Sequence, residues 1–484
     1  MTGAPVPRAL DKRPAAPDPS DFLGARPPSR RALAFTSLLL FAACLPDAML
    51  PPVLKALVID RLGATAPQAH WFMSINLLGA LGAIPLLAAL RRRSAPALQV
   101  AVAAAANALL LLGISFSTSF AAAMALRALE GVADMIAFAV LLDLTAKAGG
   151  TRTQGRRLGV ATTVLMLGLA SGALLGGRIG DPTTVLAVGA AACAAVALLA
   201  ISGRRLMRRS VASCPAVEVA PIARERRIPL WTVALMMGSD RMLGGLLTVT
   251  IPLLLTARMG WPQERVGGFL AVPLLLMALG AYPAGRIADR VGNLYARSVA
   301  ALVYAAALAV VPIVGGASPV AIAATLLVLG AAASALMPTG MALAARTGKG
   351  AVAMASGHAA GSIGYALGIA GAGAMLAFLG GPAPSHATYT MVIQLFALLH
   401  VTVTGIALVE ARWGAAARSD LAAESLHPSD PHDVGDPAER ASPADSNSSF
   451  DRTNSAGPSD AADDIGPARG GNGERPRSRV PTRA

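Results

Sequence analysis

The sequence predicts an all-α integral membrane protein: twelve transmembrane helices in two pseudo-symmetric six-helix halves. Three observations carry that expectation. Only 14% of the 484 residues are charged while 54% are hydrophobic, against about 25% charged in an average soluble domain. So little charge cannot wet the surface of a chain this long, and such hydrophobicity excludes disorder for its bulk. Second, apolar runs of about 20 residues, the length that crosses a bilayer, recur from residue 32 to residue 411. Third, the basic residues fall in short clusters that alternate with those runs.

Taken in order, residues 1–31 are Pro- and Arg-rich and read as a disordered cytoplasmic extension without the pattern of a signal peptide. Spans follow at 32–54, 69–90, 95–115, 118–145, 157–179, 183–203, 230–256, 264–284, 295–314, 318–345, 350–379 and 388–411. The Gly and Pro inside several of them are tolerated by membrane helices. The basic linker 204–229 divides the spans into an N-terminal half, 32–203, and a C-terminal half, 230–411. Its Arg204-Arg205-Leu206-Met207-Arg208-Arg209 reads as a positive-inside anchor able to lie on anionic headgroups. Residues 412–484, rich in Ser, Pro, Asp and Gly, bury too little apolar surface to order themselves and read as a disordered cytoplasmic tail.

Charge placement tests the count of spans. With the N-terminus inside, the cytoplasmic segments ahead of the tail hold 25 Lys and Arg, and the outer loops hold five: Lys55, Arg61, Arg178, Arg258 and Arg265. That asymmetry is the positive-inside pattern. It sets both termini in the cytoplasm and requires an even number of spans. Trp71, Trp231, Trp261 and Trp413 all fall at span ends, where aromatic belts lie.

Past span 8 the chain reads Gly285-Arg286-Ile287-Ala288-Asp289-Arg290-Val291-Gly292-Asn293. A Gly-bounded turn carrying an acid and bases suits a short loop between two spans, where it can cap helix ends and pair charges. This string resembles the GxLaDRxGR loop signature of the major facilitator superfamily. The resemblance covers 32–411 and implies a cavity between the halves and alternating access. The matching stretch after span 2, Leu86-Leu87-Ala88-Ala89-Leu90-Arg91-Arg92-Arg93, keeps the base at Arg91 but has Leu86 for the Gly and Leu90 for the Asp. Asp143 in span 4 is the candidate partner of Arg91–Arg93.

Span 5 carries Gly159, Gly168, Gly172, Gly176 and Gly177. The spacing is similar to the signature G-x8-G-x3-GP-x2-GG of the drug/proton antiporters in that superfamily, with Ala173 where the Pro stands. Gly168, Gly172 and Gly176 recur every four residues and make a smooth ridge for close helix approach; Gly159 falls on the opposite side. In span 11, the pseudo-repeat counterpart, Gly357, Gly361, Gly364, Gly368 and Gly371 make a second ridge. Both are expected where the halves meet and rock.

Charges inside the bilayer cost a few kcal/mol or more unless paired or facing water, and so mark function. Span 4 holds Arg127, Glu130, Gly131 and Asp134 on one face. Arg127-Ala128-Leu129-Glu130-Gly131 resembles the superfamily's RxxQG pattern, with Glu130 for Gln, which implies a part for Arg127 in proton handling. Asp240 and Arg241 lie about one third into span 7 and need not pair with each other, since helical neighbours point about 100° apart. Asp47 in span 1 precedes Met49-Leu50-Pro51-Pro52, a site for a kink. Asp47, Arg127, Glu130, Asp134, Asp240 and Arg241 are therefore the candidates for proton coupling and the substrate cavity. Their excess of carboxylates leans towards cationic or neutral amphipathic substrates. His358 and His400 read as histidines hydrogen-bonded to backbone carbonyls.

Several classes are excluded. There is no GxxxxGK[ST] phosphate loop, so no ATP drives the chain from within, and neither an HExxH nor a GxSxG motif. Cys44, Cys193 and Cys214 lack metal or CxxC spacing. Nucleic acid is excluded because the basic clusters lack interleaved aromatics, and 4% aromatics disfavours a sugar porter. The expectation is a secondary transporter of a bacterial inner membrane, not an enzyme, without cofactor or metal. Its partners would be a small-molecule substrate, protons and membrane lipids. It would export small amphipathic, drug-like molecules against proton entry. An uptake symporter for an organic acid or amino acid on the same fold is the first alternative; a sensor or scaffold acting through its tail is the second.

Overall fold

A computed structural model describes residues 30–147, 154–211, 228–316, 318–347 and 350–426. The expectations for 1–29, 212–227 and 427–484, and Cys214, lie outside the described residues. Every element described is helical, because a bilayer leaves a lone segment no other way to pair its own N–H and C=O groups. The membrane helices are α1 Arg30–Arg61, α2 Ala66–Arg93, α3 Pro96–Phe116, α4 Phe120–Lys147, α5 Gln154–Ile179, α6 Pro182–Ser202, α7 Leu230–Ala257, α8 Gln263–Val291, α9 Asn293–Val314, α10 Pro319–Arg346, α11 Gly350–Gly380 and α12 His386–Leu426. A short basic helix, Arg204–Val211, follows α6. By length and apolarity eleven helices qualify as spans. The twelfth, α4, falls outside that group because Arg127, Glu130 and Asp134 stand in its middle.

Local chemistry sets the helix starts. Pro96, Pro182 and Pro319 occupy first-turn positions, where the missing N–H is no loss. Thr65 and Gln68 form a reciprocal capping box before α2, and the Asp181 carboxylate accepts from the Thr184 N–H at 2.7 Å before α6. The Thr184 hydroxyl donates to the same carboxylate at 2.7 Å, and these two bonds hold the exposed Asp181 carboxyl below its ordinary range.

Several helices end later than the apolar runs suggest. α1 continues past residue 54 through a π-helical turn, Lys55–Arg61, which follows Pro51-Pro52. α7 has a matching π segment, Leu246–Thr250, just before Pro252. Lys55 and Arg61 thus sit on a helix end, not in a loop: Lys55 pairs with Asp60 at 2.7 Å, and Arg61 reaches Thr183. α12 runs on to Leu426, since residues 414–423 are rich in alanine, the best helix former.

The Gly285–Gly292 string is not a loop. Its first eight members are split between the last turns of α8, through Val291, and Gly292, whose φ of 95° ends the helix before α9 starts at Asn293. Asp289 and Arg290 are exposed there. The side chains of Arg91–Arg93 lie outside the described residues, and with them the pairing expected for Asp143. Trp261 also departs from the belt expectation: it is buried against Phe269, with Arg265 over its ring at 3.9 Å.

Packing repeats between the halves. α5 packs along α1 as α11 packs along α7, and α2 against α4 as α8 against α10; between halves the main contacts are α5 with α8 and α2 with α11. One apolar cluster joins both halves at the end where α2 and α8 begin, through residues such as Leu54, Phe72, Leu254, Phe269 and Tyr389. At the opposite end, where the basic connections lie, the clusters stay within one half. One holds Leu40, Val100 and Leu141; another holds Val233, Met236 and Leu343. The two ends are called here the far end and the basic end.

Candidate functional site

The site begins with how closely α2 and α4 approach. A Cβ on Gly131 would fall onto the Asn76 carbonyl, and one on Gly79 onto the Ala128 carbonyl. That contact brings the Asn76 amide to Glu130, donating at 2.5 Å. Arg127, one turn earlier on α4, donates to the same carboxylate at 2.5 Å and to Asp47 of α1 at 3.1 Å. Its guanidinium also lies over the Phe72 ring, 5.9 Å from the centroid. Asp134 accepts from Asn107 of α3 at 3.4 Å, and its carboxyl lies within hydrogen-bonding reach of Asp47.

The sequence candidates Asp47, Arg127, Glu130 and Asp134 thus come together in one cluster from α1 and α4, supported by Asn76 and Asn107. Arg127 and Glu130 are 1% exposed, whereas the Asp47 side chain is 35% exposed and opens to the space between the halves. Among the described residues, Arg127 Nε and Glu130 Oε1 are buried without a hydrogen-bond partner, which leaves each open to a further polar contact. An isolated charge here would be prohibitive, so the pairs hold each other in place. The arrangement can pass a proton among three carboxyls around one permanent cation, and two carboxyls hydrogen-bond to each other only when one is protonated.

Asp240 and Arg241 do not join that cluster. Asp240 forms an ion pair with Arg297 of α9, stands 3.8 Å from His400 Nε2, and leaves Arg241 to lie over Tyr365, 5.6 Å from its ring centroid. Arg297 is 1% exposed and also donates to the Leu336 carbonyl at 2.6 Å. The 25 inner basic residues counted from the sequence include Arg297. It lies instead one turn inside α9, where the buried Asp240 draws it in. His400 bonds the Ser239 hydroxyl at 3.1 Å. Asn76, Asn107 and Arg297 were missed; the signal for the amides was their place inside apolar runs.

The glycine ridges lie elsewhere than expected. Cβ atoms on Gly168, Gly172 and Gly176 would meet the carbonyls of Phe41, Leu45 and Met49, so this ridge packs on α1 within its own half. Gly364 and Gly368 face the Gly238 and Met242 carbonyls of α7 in the same way, while Gly357 and Gly361 pack on Met237 and Arg241. The halves touch instead at single glycines of the far end. A Cβ on Gly177 would stand 2.9 Å from the Gly267 Cα, and the reverse holds equally; one on Gly373 would stand 2.6 Å from the His70 Cβ. Here His70 gives its Nδ1 proton to Ala66 and accepts from Thr250 of α7 at 3.1 Å. Gly159 and Gly285 face open space at the basic end.

Against known families, the model of the Major Facilitator Superfamily matches residues 36–369. The chain belongs to the Major Facilitator Superfamily. Curated relatives include uncharacterized MFS-type transporters of Yersinia pestis (strain Pestoides F) and Yersinia pseudotuberculosis serotype O:1b (strain IP 31758), each 27% identical over 237 residues. That match covers 49% of this chain, and the chain spans 60% of those relatives' length. Among solved structures, a bacterial homologue of the human lysosomal transporter Spinster, inward-facing and unoccupied, superposes with a TM-score of 0.61 at 13% identity, covering 81% of this chain and 98% of that one. The nucleoside transporter NupG superposes with a TM-score of 0.57 at 12% identity, covering 78% and 98%. At such identities the likeness concerns the fold. The Major Facilitator fold accounts for the paired halves.

Proposed function

We propose that the chain is a secondary transporter of a bacterial inner membrane that exports small amphipathic organic molecules in exchange for protons. The observation that carries this is the Asp47–Arg127–Glu130–Asp134 cluster: three carboxyls around one buried guanidinium at mid-membrane, with Asp47 open to the cleft. Fully ionised, it holds two more negative than positive charges, an imbalance that a bound proton relieves. Asp47 is reachable by substrate and by the Asp134 proton alike, so one can displace the other. The glycine spacing of α5 supports export.

The basic end is the cytoplasmic one by its charge, and both termini lie there. A core shared only at the far end is then an inward-open arrangement, with halves 32–203 and 230–411 rocking about α5–α8 and α2–α11. The proton gradient is the energy source, and no ATP is used. The test uses inverted vesicles with a preset proton gradient and a panel of candidate compounds. A substrate should dissipate the gradient, and Asp134→Asn should let it equilibrate without uphill accumulation. If Asp134→Asn and Asp47→Asn both still concentrate substrate with wild-type pH dependence, the cluster does not couple. Movement of substrate with the protons would make the chain a symporter.

A further inference from the structure

Arg241 is the one charge of the cleft that the cluster chemistry leaves over. It is exposed, although it stands in the middle of α7, and among the described residues it has neither an ion pair nor a hydrogen bond. Its sequence neighbour Asp240 is committed to Arg297. A cation kept in a membrane helix at this cost without a counter-ion marks a function. Its surroundings fix which way it faces. The Tyr365 ring beneath it belongs to α11, the helix that packs against α2 of the other half. Arg241 therefore lines the space between the halves, not the lipid face that Trp231 and Leu235 present. His358, one face-turn away on α11, lies in its field and adds no negative charge. Across the cleft the Arg127 cluster is rich in carboxyls; on this side the open charge is positive.

We infer that Arg241 and Tyr365 form an anion subsite, so that the transported amphipathic molecule carries a carboxylate- or phosphate-type group. The guanidinium offers two parallel N–H donors to such a group. Tyr365 offers its ring to the apolar part beside it. The inference rests on the export reading above and narrows its substrate class. The carboxyl cluster keeps its excess negative charge on its own side of the cleft; Arg241, which has no ion-paired carboxylate, supplies the separate site for the anionic group.

Two dyes with the same xanthene core and opposite charge test this: carboxyfluorescein and rhodamine 6G. Binding to the full-length protein is read by fluorescence polarisation in phosphatidylcholine nanodiscs, where no anionic headgroup competes. Wild type should prefer carboxyfluorescein. Arg241→Gln should weaken it about tenfold to a hundredfold, and Arg241→Lys should restore part of the loss. Tyr365→Leu should weaken both dyes alike. If adding phosphatidylglycerol displaces carboxyfluorescein, a lipid headgroup is a second occupant of the same anion subsite. A wild-type preference for rhodamine 6G, untouched by Arg241→Gln, overturns the subsite. If rhodamine 6G also moves against the proton gradient, the export reading survives without it. Equal binding of both dyes to Arg241→Gln and wild type, with transport lost, also overturns it and gives Arg241 a part in closing the cleft.

Discussion

Arg127 serves Glu130 at 2.5 Å and Asp47 at 3.1 Å through different nitrogens, and the planar fork of arginine makes that possible. Lysine carries its donors on a single nitrogen and lacks the fork whose two nitrogens reach the carboxylates separately. Arg127→Lys should therefore keep membrane abundance near normal but lose gradient-driven accumulation. Arg127→Ala should also lower stability, by about 3–5 kcal/mol for a broken buried pair, read as a drop in the melting temperature of the solubilised protein. A melting temperature equal to wild type would mean that the three carboxyls do not depend on this cation. Asn76→Leu removes the donor to Glu130 at similar volume, and should shift the pH profile of transport while abundance holds. At this scale the sequence showed which charges lie in the bilayer, because each interrupts an apolar run. It could not show their partners. Asp47 and Arg127 are 80 residues apart and Asp240 and Arg297 57 apart, and only the helix packing joins them. Arg297 was hidden further by its place four residues into α9, among charges that do face the interface.

The helices separate two kinds of glycine, and they should fail differently. A Cβ on Gly172 would stand 2.9 Å from the Ala48 Cβ and against the Leu45 carbonyl, within one half. Gly172→Leu should split α1 from α5, tilt Asp47 away from Arg127 and abolish transport with the protein still inserted. Gly177 and Gly267 meet between halves, and the nearby Arg178–Glu264 pair is too exposed to hold them together, being worth at most about 1 kcal/mol. Gly177→Leu should therefore spare each half and weaken closure of the far end. A cysteine at Met73, in the shared cluster, should then become reactive to an impermeant thiol reagent added from outside; unchanged labelling would show that this crossing is not the seal. Capping gives a smaller effect. Asp181→Ala should cost about 1 kcal/mol. Because the Asp181 carboxyl is held below its ordinary range, its contribution is complete above that range and is lost as pH falls through the lowered value. The glycine spacing was legible in the sequence, but which neighbour each ridge meets was not. A four-residue ridge fits any helix, and only the carbonyls of Phe41, Leu45 and Met49, spaced by four on α1, select the partner.

For the molecule as a whole, the fold was legible because two independent constraints agree: apolar length sets the spans and basic clusters set their direction. Composition alone would have dropped α4, since its central charges disqualify it as a span. With eleven spans the termini would lie on opposite faces and the basic clusters would no longer share a side. With α4 counted, described bases of the inner segments such as Arg204, Arg208 and Arg286 fall at one end of the bundle, Arg297 excepted, which lies inside α9. The same parity bears on the inward-open arrangement proposed above: the shared core lies at the end away from those clusters, so in that reading the halves part at whichever face they occupy. Reporter fusions after Arg209 and after Arg418 should both report the cytoplasm, and one in the 258–263 connection should report the outside. Opposite faces for a fusion ahead of Arg30 and the one after Arg209 would remove α4 from the membrane. That outcome would take Arg127, Glu130 and Asp134 out of the bilayer with it, and the charge argument for coupling would lose its footing. Agreement of the three fusions would instead fix the open end of the cleft on the cytoplasmic side, the side from which an exporter must load.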